Sequence, residues 1–521
     1  MKNFGCCLGI IAGLLAFSMV VQAQAAANDC TLSNYTSDNW LHPDPATQLA
    51  AVPIKGVPTT PGQKVSGASV KCDFDIFSWQ WFLYLMNPAS SGNGRIFEDR
   101  ALFPVVDLDT CAGVAAGSTG GNSSKGLVPS ILKVAEMPDI PGQAGSGDAL
   151  YDRNSNIVFY NRSFTTNECG IYADGSFPDA GGTNANFPTG YNQVLELKSS
   201  WRIMGNGDDQ SRYYVIQADI EGVGTKTLGL VGLHIVINTK FHPEFVWATF
   251  EHVDNAPDCT VAIRQPVATE FNRLQPANGW SFANSACNAC VSANYTNGTN
   301  LKSVCQSQCN FNGVKTKPVL DSQGNVTVTG TASNICLDLQ YGTPNPPPSG
   351  DDDNIPNIQL LNTLLVGPNG ILTGLPSTNS MAVFKNYFLG GAVWSNVDDP
   401  NFKTKPFSAT RVASTGLSNS TMESFTQFDA NNFFQAGCFS CHGGANINNT
   451  AAASHLLTVE QGGAPGLIDR CNVKAGPLFS QADAEAKCPT VCANGMGWNG
   501  NWNTIASAMS VCGCNACPPA Q

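Results

Sequence analysis

The sequence Cys438-Phe439-Ser440-Cys441-His442 constrains this chain more than any other feature, because it places two thiols and an imidazole within five residues. The spacing C-x-x-C-H is that of a c-type haem attachment sequence, in which both thiols bond to the porphyrin. The His then supplies the proximal ligand of the iron. We therefore expect one covalent haem c on Cys438 and Cys441, with His442 as iron ligand. The alternative is a cysteine pair that forms a disulfide next to an incidental His.

The first 27 residues have the pattern of an export signal. Lys2 precedes an apolar run over residues 8–21, and alanines follow the run. This order is typical of a secretory signal peptide, here with cleavage between Ala23 and Ala27. The run is too short to span a membrane, and no later segment has eighteen uninterrupted apolar residues, so we expect no membrane span after cleavage. Haem attachment and stable disulfides then place the protein in the bacterial periplasm or outside the cell.

Composition limits the partners and the reactions. The net charge of -12, with only 13% charged residues, leaves no basic stripe for a nucleic acid and no polybasic patch for an anionic membrane. The chain has no G-x-S-x-G, no H-E-x-x-H and no phosphate-binding glycine loop. We therefore expect no nucleic-acid partner, and nothing in the sequence marks a hydrolase.

The remaining cysteines fall into clusters that favour disulfides. One cluster lies between residues 259 and 336 and a second between residues 471 and 517. The pairs Cys287/Cys290 and Cys305/Cys309 also approach the spacing of a four-thiolate zinc site. Because no His lies nearby and the chain is predicted to be exported, disulfides are the favoured interpretation.

Apolar periodicity predicts a β-rich body. Residues 74–86 are almost wholly apolar and stop at Asn87-Pro88, which predicts a buried helix. Segments 194–198, 213–220, 227–239 and 245–250 are rich in β-branched and aromatic residues, which is typical of central strands in a mostly antiparallel sheet. Helical patterns return at residues 358–365 and 381–389.

Two segments resemble a family of exported bacterial c-type haem proteins of uncharacterised role. Residues 244–255 read EFVWATFEHVDN, close to that family's W-x-W-A-T-F-E-H-V-D-N, with Phe245 where its first Trp usually stands. Residues 418–425 read SNSTMESF, close to its A-N-T-T-M-E-T-F, which also precedes C-x-x-C-H. The resemblance covers about residues 70–450 and brings no established reaction.

The sixth ligand of the iron is left open by the sequence. His252 lies beside Glu251 and Asp254 in the first of these segments, and Met422 lies in the second. Either side chain is a candidate ligand, and a Met, a second His or an empty position would give different haem chemistry. The alternative for His252 is a histidine that is hydrogen-bonded to a neighbouring carboxylate. His234, Met381 and His455 are weaker candidates.

The C-terminal 50 residues carry a different pattern. Ser480 is a good N-cap with Asp483 in the first turn, and a helix-favouring segment follows. Two cysteines of this segment lie four residues apart and share one face of the helix. Two others lie two residues apart and share one face of a strand. These disulfide candidates are Cys488, Cys492, Cys512 and Cys514. Such bridges would stabilise a domain too small to be held by core burial.

This segment closely resembles the mannan-binding lectins. Their A-G-P-[IL]-W, C-P-x-V-C, W-N-G-x-W and M-S-V-C-x-C strings all have counterparts here, except that Phe479 replaces the first Trp. The resemblance implies mannose-containing glycans as ligands, since aromatic rings stack on sugar C–H patches and amides bond the hydroxyls. The residues it implies are Gly476, Phe479, Trp498, Asn499, Gly500, Trp502 and Asn503. For Trp498 and Trp502, a role in the small core is an equal alternative.

The sequence thus predicts an α+β fold with a mostly antiparallel β-rich body, peripheral helices and a c-type haem segment, plus a small disulfide-stapled α+β lectin-like module. The expected boundaries are a signal peptide at 1–27, the body at 28–340 with a Cys-rich insertion at 256–340, a helical haem-binding segment at 341–470 and the lectin-like domain at 471–521. The expected function is that of an exported monohaem c-type cytochrome protein that carries out electron transfer or redox chemistry with an unknown redox partner. Its C-terminal module is expected to target it to mannose-containing glycans. If it is an enzyme, it is a haem-dependent oxidoreductase. The alternative is a secreted carbohydrate-binding protein in which the haem is structural or absent.

Overall fold

The computed structural model describes part of the 521-residue chain, and all structural statements below concern that part. The described residues are 30, 32, 37–41, 71–89, 94–99, 149–164, 194–220, 224–238, 242, 244–257, 276–283, 327–337, 354–396, 403–404, 406, 411–413, 417–424, 438, 472–476, 478, 480–493, 498–506 and 509–514.

The body is built on a seven-stranded antiparallel sheet. Its strands are β1 (Phe159–Phe164), β2 (Leu195–Ile203), β3 (Val215–Ile220), β4 (Gly224–Ile237), β5 (Val246–His252), β6 (Tyr387–Ser395) and β7 (Arg411–Ala413). The order is β1-β2-β4-β5-β6-β7, and β3 pairs with the first half of β4. The predicted strands of the 190–255 region are confirmed, because long runs of β-branched and aromatic residues pack well in central strands.

A buried helix covers one face of this sheet. Helix α2 (Lys71–Met86) follows a short helix α1 (Ser37–Leu41), and all but two residues of α2 are buried. Phe82 stacks on Phe250 of β5 with ring centroids 4.3 Å apart, and Trp79 meets the same ring edge-on at 5.0 Å. A disulfide joins Cys72, at the start of the helix, to Cys30. The buried helix predicted over residues 74–86 is therefore confirmed.

The region expected as a separate haem-binding segment contributes to this same body. Helix α3 (Asn354–Val366) packs beside α2, and the side-chain amide of Asn362 bonds both the N–H and the C=O of Leu389 in β6. The helical pattern over residues 381–389 is only half right, since a 3₁₀-helix (Ala382–Asn386) passes directly into β6. The expected boundary at 340/341 thus does not separate the sheet, whose β6 pairs with β5 along most of its length.

Two short pieces of the Cys-rich insertion also pack against the body. The N–H of Ser281 donates to the C=O of Asp254, and the N–H of Ile335 donates to the C=O of Phe282. Cys336 is disulfide-bonded. The four cysteines with zinc-like spacing lie outside the described residues.

The C-terminal module has a small sheet and one helix. Strands β8 (Asn472–Gly476), β9 (Trp498–Ala506) and β10 (Met509–Cys514) pair antiparallel in the order β8-β10-β9. Helix α4 (Gln481–Val491) begins at Ser480, whose side chain accepts the N–H of Asp483 as predicted for an N-cap. Within the described parts of the chain, no helix has the length and apolar character needed to cross a membrane.

Candidate functional site

The face of the sheet opposite α2 carries a buried polar row. Lys198 of β2, His234 of β4 and Thr249 of β5 are direct cross-strand neighbours. Because successive residues of a strand point to opposite faces, this row alternates with the apolar residues that pack against the helix. All three residues are buried. Polar side chains at such a depth need partners, and a nearby segment of the chain supplies them.

Residues 417–424 form this covering segment. The side chain of Asn419 donates to the hydroxyl of Thr249 and to the backbone C=O of Phe250, both at 3.0 Å. The hydroxyl of Ser420 bonds the carboxylate of Glu251. The hydroxyls of Thr421 and Ser200 lie 2.6 Å apart. The covering segment is therefore held on two strands, β2 and β5, through side-chain bonds.

A glycine permits this close approach. A Cβ on Gly232 of β4 would lie 2.6 Å from the hydroxyl oxygens of Ser200 and Thr421 and 2.9 Å from the amide oxygen of Asn419. Real Cβ atoms do not come this close to such atoms. The covering segment therefore lies directly over the backbone of β4 at this position.

Ionic contacts of Glu423 fix one end of the covering segment to the sheet. The carboxylate of Glu423 bonds the His234 imidazole at 3.0 Å and lies 3.9 Å from the Lys198 ammonium. Burial acts to raise the pKa of Glu423, but His234, Lys198 and the N–H of Asn419 outweigh it and lower that pKa to about 2. Glu423 is thus ionised under ordinary conditions, and its carboxylate joins the covering segment to β2 and β4.

The two strings that carry the haem-protein resemblance meet in this place. Residues 249–255 come from the first string and residues 418–424 from the second, and the bonds just described join them. Thirteen residues, 425–437, lie between the covering segment and Cys438, whose side chain is half-buried. Cys441 and His442 lie outside the described residues, so haem attachment stays a prediction.

His252 is enclosed by protein groups on every side. Its Nε2–H donates to the C=O of Arg212 at 2.9 Å, and its Nδ1 accepts the N–H of Asp254 at 3.1 Å. Its ring stacks on Tyr213 at 3.8 Å and meets Tyr387 edge-on. Burial lowers the pKa of His252 to about 4 in spite of the opposing attraction of Asp254. Both ring nitrogens are thus bonded to backbone groups, and the carboxylate of Asp254 lies 3.9 Å from Nδ1, beyond hydrogen-bond distance. Iron ligation by His252 stays a prediction and would require one of these backbone bonds to break.

Met422 packs into a second apolar cluster of the body. Its side chain is 1% exposed and lies with Val231, Tyr160, Phe282 and Ile335. The sulfur of Met422 therefore has an apolar environment, and the residue serves as packing in this structure. Its role as sixth ligand also stays a prediction.

Sequence reasoning missed a buried charge network at the end of β2. Arg202 is fully buried and bonds Asp152 at 3.0 Å and Asp208 at 2.9 Å. Burial raises the pKa of Asp152 even with this partner. Burial also acts to raise the pKa of Asp208, but Arg202 and the N–H of Gly205 outweigh it and lower that pKa. The available signal was an Arg between two large apolar residues, Trp201 and Ile203, at the end of a strand. Across the residues that the structure describes, no group of three or more His, Cys, Asp or Glu side chains could hold a metal ion.

The C-terminal module is held by disulfides as its spacing predicts. Cys488 of α4 is bonded to Cys512 of β10, which confirms one helix-to-strand bridge. Cys492, one turn further along, is also disulfide-bonded. The side chain of Cys514 is not described. The apolar cluster between helix and sheet is small and contains Ala475, Leu478, Ala484, Cys488, Cys492 and Cys512.

The two tryptophans of the module contribute to its core and keep part of their surface accessible. Trp502 lies opposite Cys512 in the β9–β10 ladder, and Trp498 lies opposite Cys514. Both side chains are half-buried and pack against the cluster under the helix. The two alternatives for these residues are therefore compatible, since a ring can pack with one face and bind a sugar with exposed surface.

The other residues implied by the lectin resemblance are only partly described. Gly476 is the last residue of β8, and Asn499, Gly500 and Asn503 belong to β9. The side chains of the two asparagines and all of Phe479 lie outside the described residues. Their contacts with a glycan stay a prediction.

Comparison with known proteins supports the sequence-based interpretation of the C-terminal module and gives no match for the body. The module consists of a small sheet, one helix bridged to it by a disulfide, and two half-buried tryptophans. Residues 481–514 of this module match the family model described as MVL: Mannan-binding protein. No curated protein and no solved structure matches the chain.

Proposed function

We propose that this protein is a secreted carbohydrate-binding protein whose C-terminal module binds mannose-containing glycans. The observation that carries the proposal is the match of residues 481–514 to the mannan-binding family on a disulfide-bonded sheet. Half-buried Trp498 and Trp502 offer rings for the C–H faces of a sugar, and the asparagines of β9 offer polar groups for its hydroxyls. A single small module binds weakly, so tight capture would need several copies on one surface.

A glycan array with the full-length exported protein tests this proposal. We expect binding to high-mannose glycans and mannan that free mannose oligosaccharides compete away, with no binding to galactose polymers. Trp502→Ala should reduce the affinity at least tenfold, while Trp502→Phe should retain part of it. Lys487→Gln, on the exposed side of α4, is the matched control. Equal binding of wild type and Trp502→Ala, or no preference for mannose, would contradict the proposal.

A second candidate function is favoured by the C-x-x-C-H sequence. In this proposal, Cys438 and Cys441 hold one haem c through thioether bonds and His442 binds its iron, in a chain exported by residues 1–27. The haem would supply one-electron chemistry, and the glycan module would localise it. The bonds between residues 249–255 and 418–424 support this candidate, because both strings of the resemblance meet in one structural unit.

The haem candidate has a direct test. The mature protein is purified from the periplasm or medium of a bacterium with c-type haem maturation, and its mass and pyridine haemochrome spectrum are measured. We expect the added mass of one haem and a spectrum typical of two thioether bonds. A disulfide between Cys438 and Cys441 with no added mass would contradict this candidate and leave the glycan proposal intact.

A further inference from the structure

The ring of Trp502 lies beside the disulfide that joins helix α4 to the sheet of the C-terminal module. Trp502 of β9 is the direct cross-strand partner of Cys512 in β10, and Cys512 is bonded to Cys488 of α4. Side chains of directly opposed residues lie on one face of a sheet, with their Cβ atoms about 5 Å apart. The ring that is proposed to stack on a sugar therefore has this bridge as an immediate neighbour.

The loop that the Cys488–Cys512 bridge closes contains the whole of β9. The bridge joins residues 24 positions apart, and β9 (Trp498–Ala506) lies between them. Trp498 and Trp502 are thus both inside the closed loop. Opening the bridge would release the strand that carries both rings from its covalent connection to the helix.

Among the described residues of the module, little apolar burial would keep the helix on the sheet without the bridge. The buried cluster between helix and sheet contains three disulfide-bonded cysteines, and its other members are Ala475, Leu478 and Ala484. Two alanines and one leucine remove only a small apolar area from water. Domains of this size usually depend on crosslinks for stability. The arrangement of β9 therefore depends on the bridge.

Glycan binding and reduction of the bridge exclude each other in this geometry. Cys488 and Cys512 are 0% exposed, so a thiol reductant reaches their sulfurs only when the module opens. A glycan that binds the closed module lowers the population of the open form. The coupling is reciprocal, because an open bridge must weaken glycan binding by the same linkage.

We propose that the Cys488–Cys512 bridge is a redox switch for glycan binding, with the closed bridge as the binding form. This inference rests on the proposed glycan binding of the module. In the opening step, a dithiol gives two electrons and two protons to the sulfur–sulfur bond, which yields two cysteine thiols and a disulfide within the reductant. In the closing step, a disulfide oxidant accepts the two electrons and two protons. A reduced chain therefore lacks binding until it reaches an oxidising compartment.

Binding of the full-length protein to immobilised mannan, followed while the bridge is reduced, tests the switch. We expect dithiothreitol to lower the affinity by roughly tenfold or more, since loss of a bridge with this loop length favours the open form. The loss should follow the appearance of thiols on Cys488 and Cys512 in alkylation mass spectrometry, and reoxidation should restore binding. Cys488→Ala/Cys512→Ala should bind as weakly as the reduced protein. Cys30→Ala/Cys72→Ala, which removes a bridge of the body, is the matched control and should bind as the wild type does.

Protection by the ligand gives a second measurement that needs no variant. A soluble high-mannose oligosaccharide at about ten times its dissociation constant leaves roughly one tenth of the module free. Thiol formation at Cys488 and Cys512 should therefore slow about tenfold. Reduction of the Cys30–Cys72 bridge should keep its rate, because that bridge lies in the body.

The outcomes separate the switch from the function on which it rests. Oxidised protein that does not bind mannan would refute the glycan proposal and the switch with it. Equal binding before and after reduction of the Cys488–Cys512 bridge would overturn the switch while glycan binding stands. A reduction rate that the oligosaccharide does not change would overturn it as well. Misfolding of Cys488→Ala/Cys512→Ala does not remove the test, since the protection measurement uses the wild type alone.

Discussion

The body and the C-terminal module are stabilised in different ways. In the body, helix α2 and the inner face of the sheet form one continuous apolar cluster, and a disulfide at Cys72 is an addition to it. In the module, the cluster is so small that disulfide-bonded cysteines make up half of it. A larger chain buries a larger fraction of its surface, whereas domains near 40 residues usually need crosslinks. The size of the core thus decides whether crosslinks are additional or essential.

The largest expected effect comes from the buried charges of the body. Arg202→Met would leave Asp152 and Asp208 without their buried cation, at an expected cost of about 3–5 kcal/mol in the free energy of unfolding. Arg153→Met is the matched control, because Arg153 bonds the same Asp208 but is 22% exposed. We expect the control to cost about 1 kcal/mol or less. Urea unfolding measures both values, and equal losses would contradict the role of burial.

Removing one disulfide from each region tests the comparison most directly. Cys488→Ala/Cys512→Ala opens a bridge with a sequence separation of 24, and Cys30→Ala/Cys72→Ala opens one with a separation of 42. Loop entropy predicts similar losses, about 3.5 and about 4 kcal/mol. We expect the first variant to lose hydrogen-exchange protection throughout the module, and the second to keep a folded body with a lower midpoint. A folded module without its bridge would refute this difference.

His252 should give the body a distinct pH dependence. Its folded pKa of about 4 is below its unfolded value of 6.5, so the unfolded chain binds an additional proton between these pH values. Stability is therefore complete above about pH 6.5 and is lost as pH falls toward 4, by about 3 kcal/mol in total. The groups that face this ring are Asp254, Arg212, Arg202, Tyr213 and Tyr387.

Between pH 6.5 and 4.5 the difference in slope between wild type and a His252 variant measures the contribution of His252, because Glu423, with a pKa of about 2, adds a loss only below its unfolded value of 4.5. Burial raises the pKa values of Glu98 and Asp152, whose contributions have the opposite sign and cancel in that difference. Urea midpoints across this window measure the slope. His252→Asn should flatten it whatever its effect on the midpoint at pH 7. A slope that persists in the variant would assign the effect to other groups.

A smaller effect is expected where the covering segment meets β4. Gly232→Ala would place a Cβ 2.6 Å from the hydroxyls of Ser200 and Thr421, which overpacks the contact at a cost of about 1–3 kcal/mol. Gly207→Ala is the matched control, because an added Cβ there meets nothing within 4 Å. We expect the control to stay within about 0.5 kcal/mol of the wild type. Proteolysis within residues 417–424 that is unchanged in Gly232→Ala would contradict a displaced segment.

What could be foreseen from sequence differs between the two regions for a physical reason. The module is local: its N-cap, helix, paired strands and one bridge follow from residues close together in the sequence. In the body, α2 and the strands of residues 190–255 were predictable from their apolar runs. Strand β6 was not, because Gly390 and Gly391 interrupt its pattern and its partner β5 lies some 140 residues earlier.

The polar face of the body was foreseeable only in part. The strings around residues 249–255 and 418–424 were visible, but nothing in either one reveals that they bond each other. His234 stands in the middle of an apolar strand. Its polar contacts follow only from the strand register that places it beside Lys198 and from its bond to the distant Glu423. The Arg202 network is non-local in the same way. Side-chain roles that depend on sheet register cannot be read from a single segment.

The smallest expected effect is the loss of the N-cap of α4 in the C-terminal module, and it measures how much a local interaction contributes to that module. The side chain of Ser480 accepts the N–H of Asp483 at 3.1 Å at the start of α4. Ser480→Ala should cost about 1 kcal/mol, while Ser480→Gly should cost only a few tenths, because glycine tolerates the cap conformation and exposes the N–H to water. Hydrogen exchange of the module measures both values against an unchanged body. If neither variant costs measurable stability, the bond to Asp483 contributes little and the disulfides alone hold the helix in place.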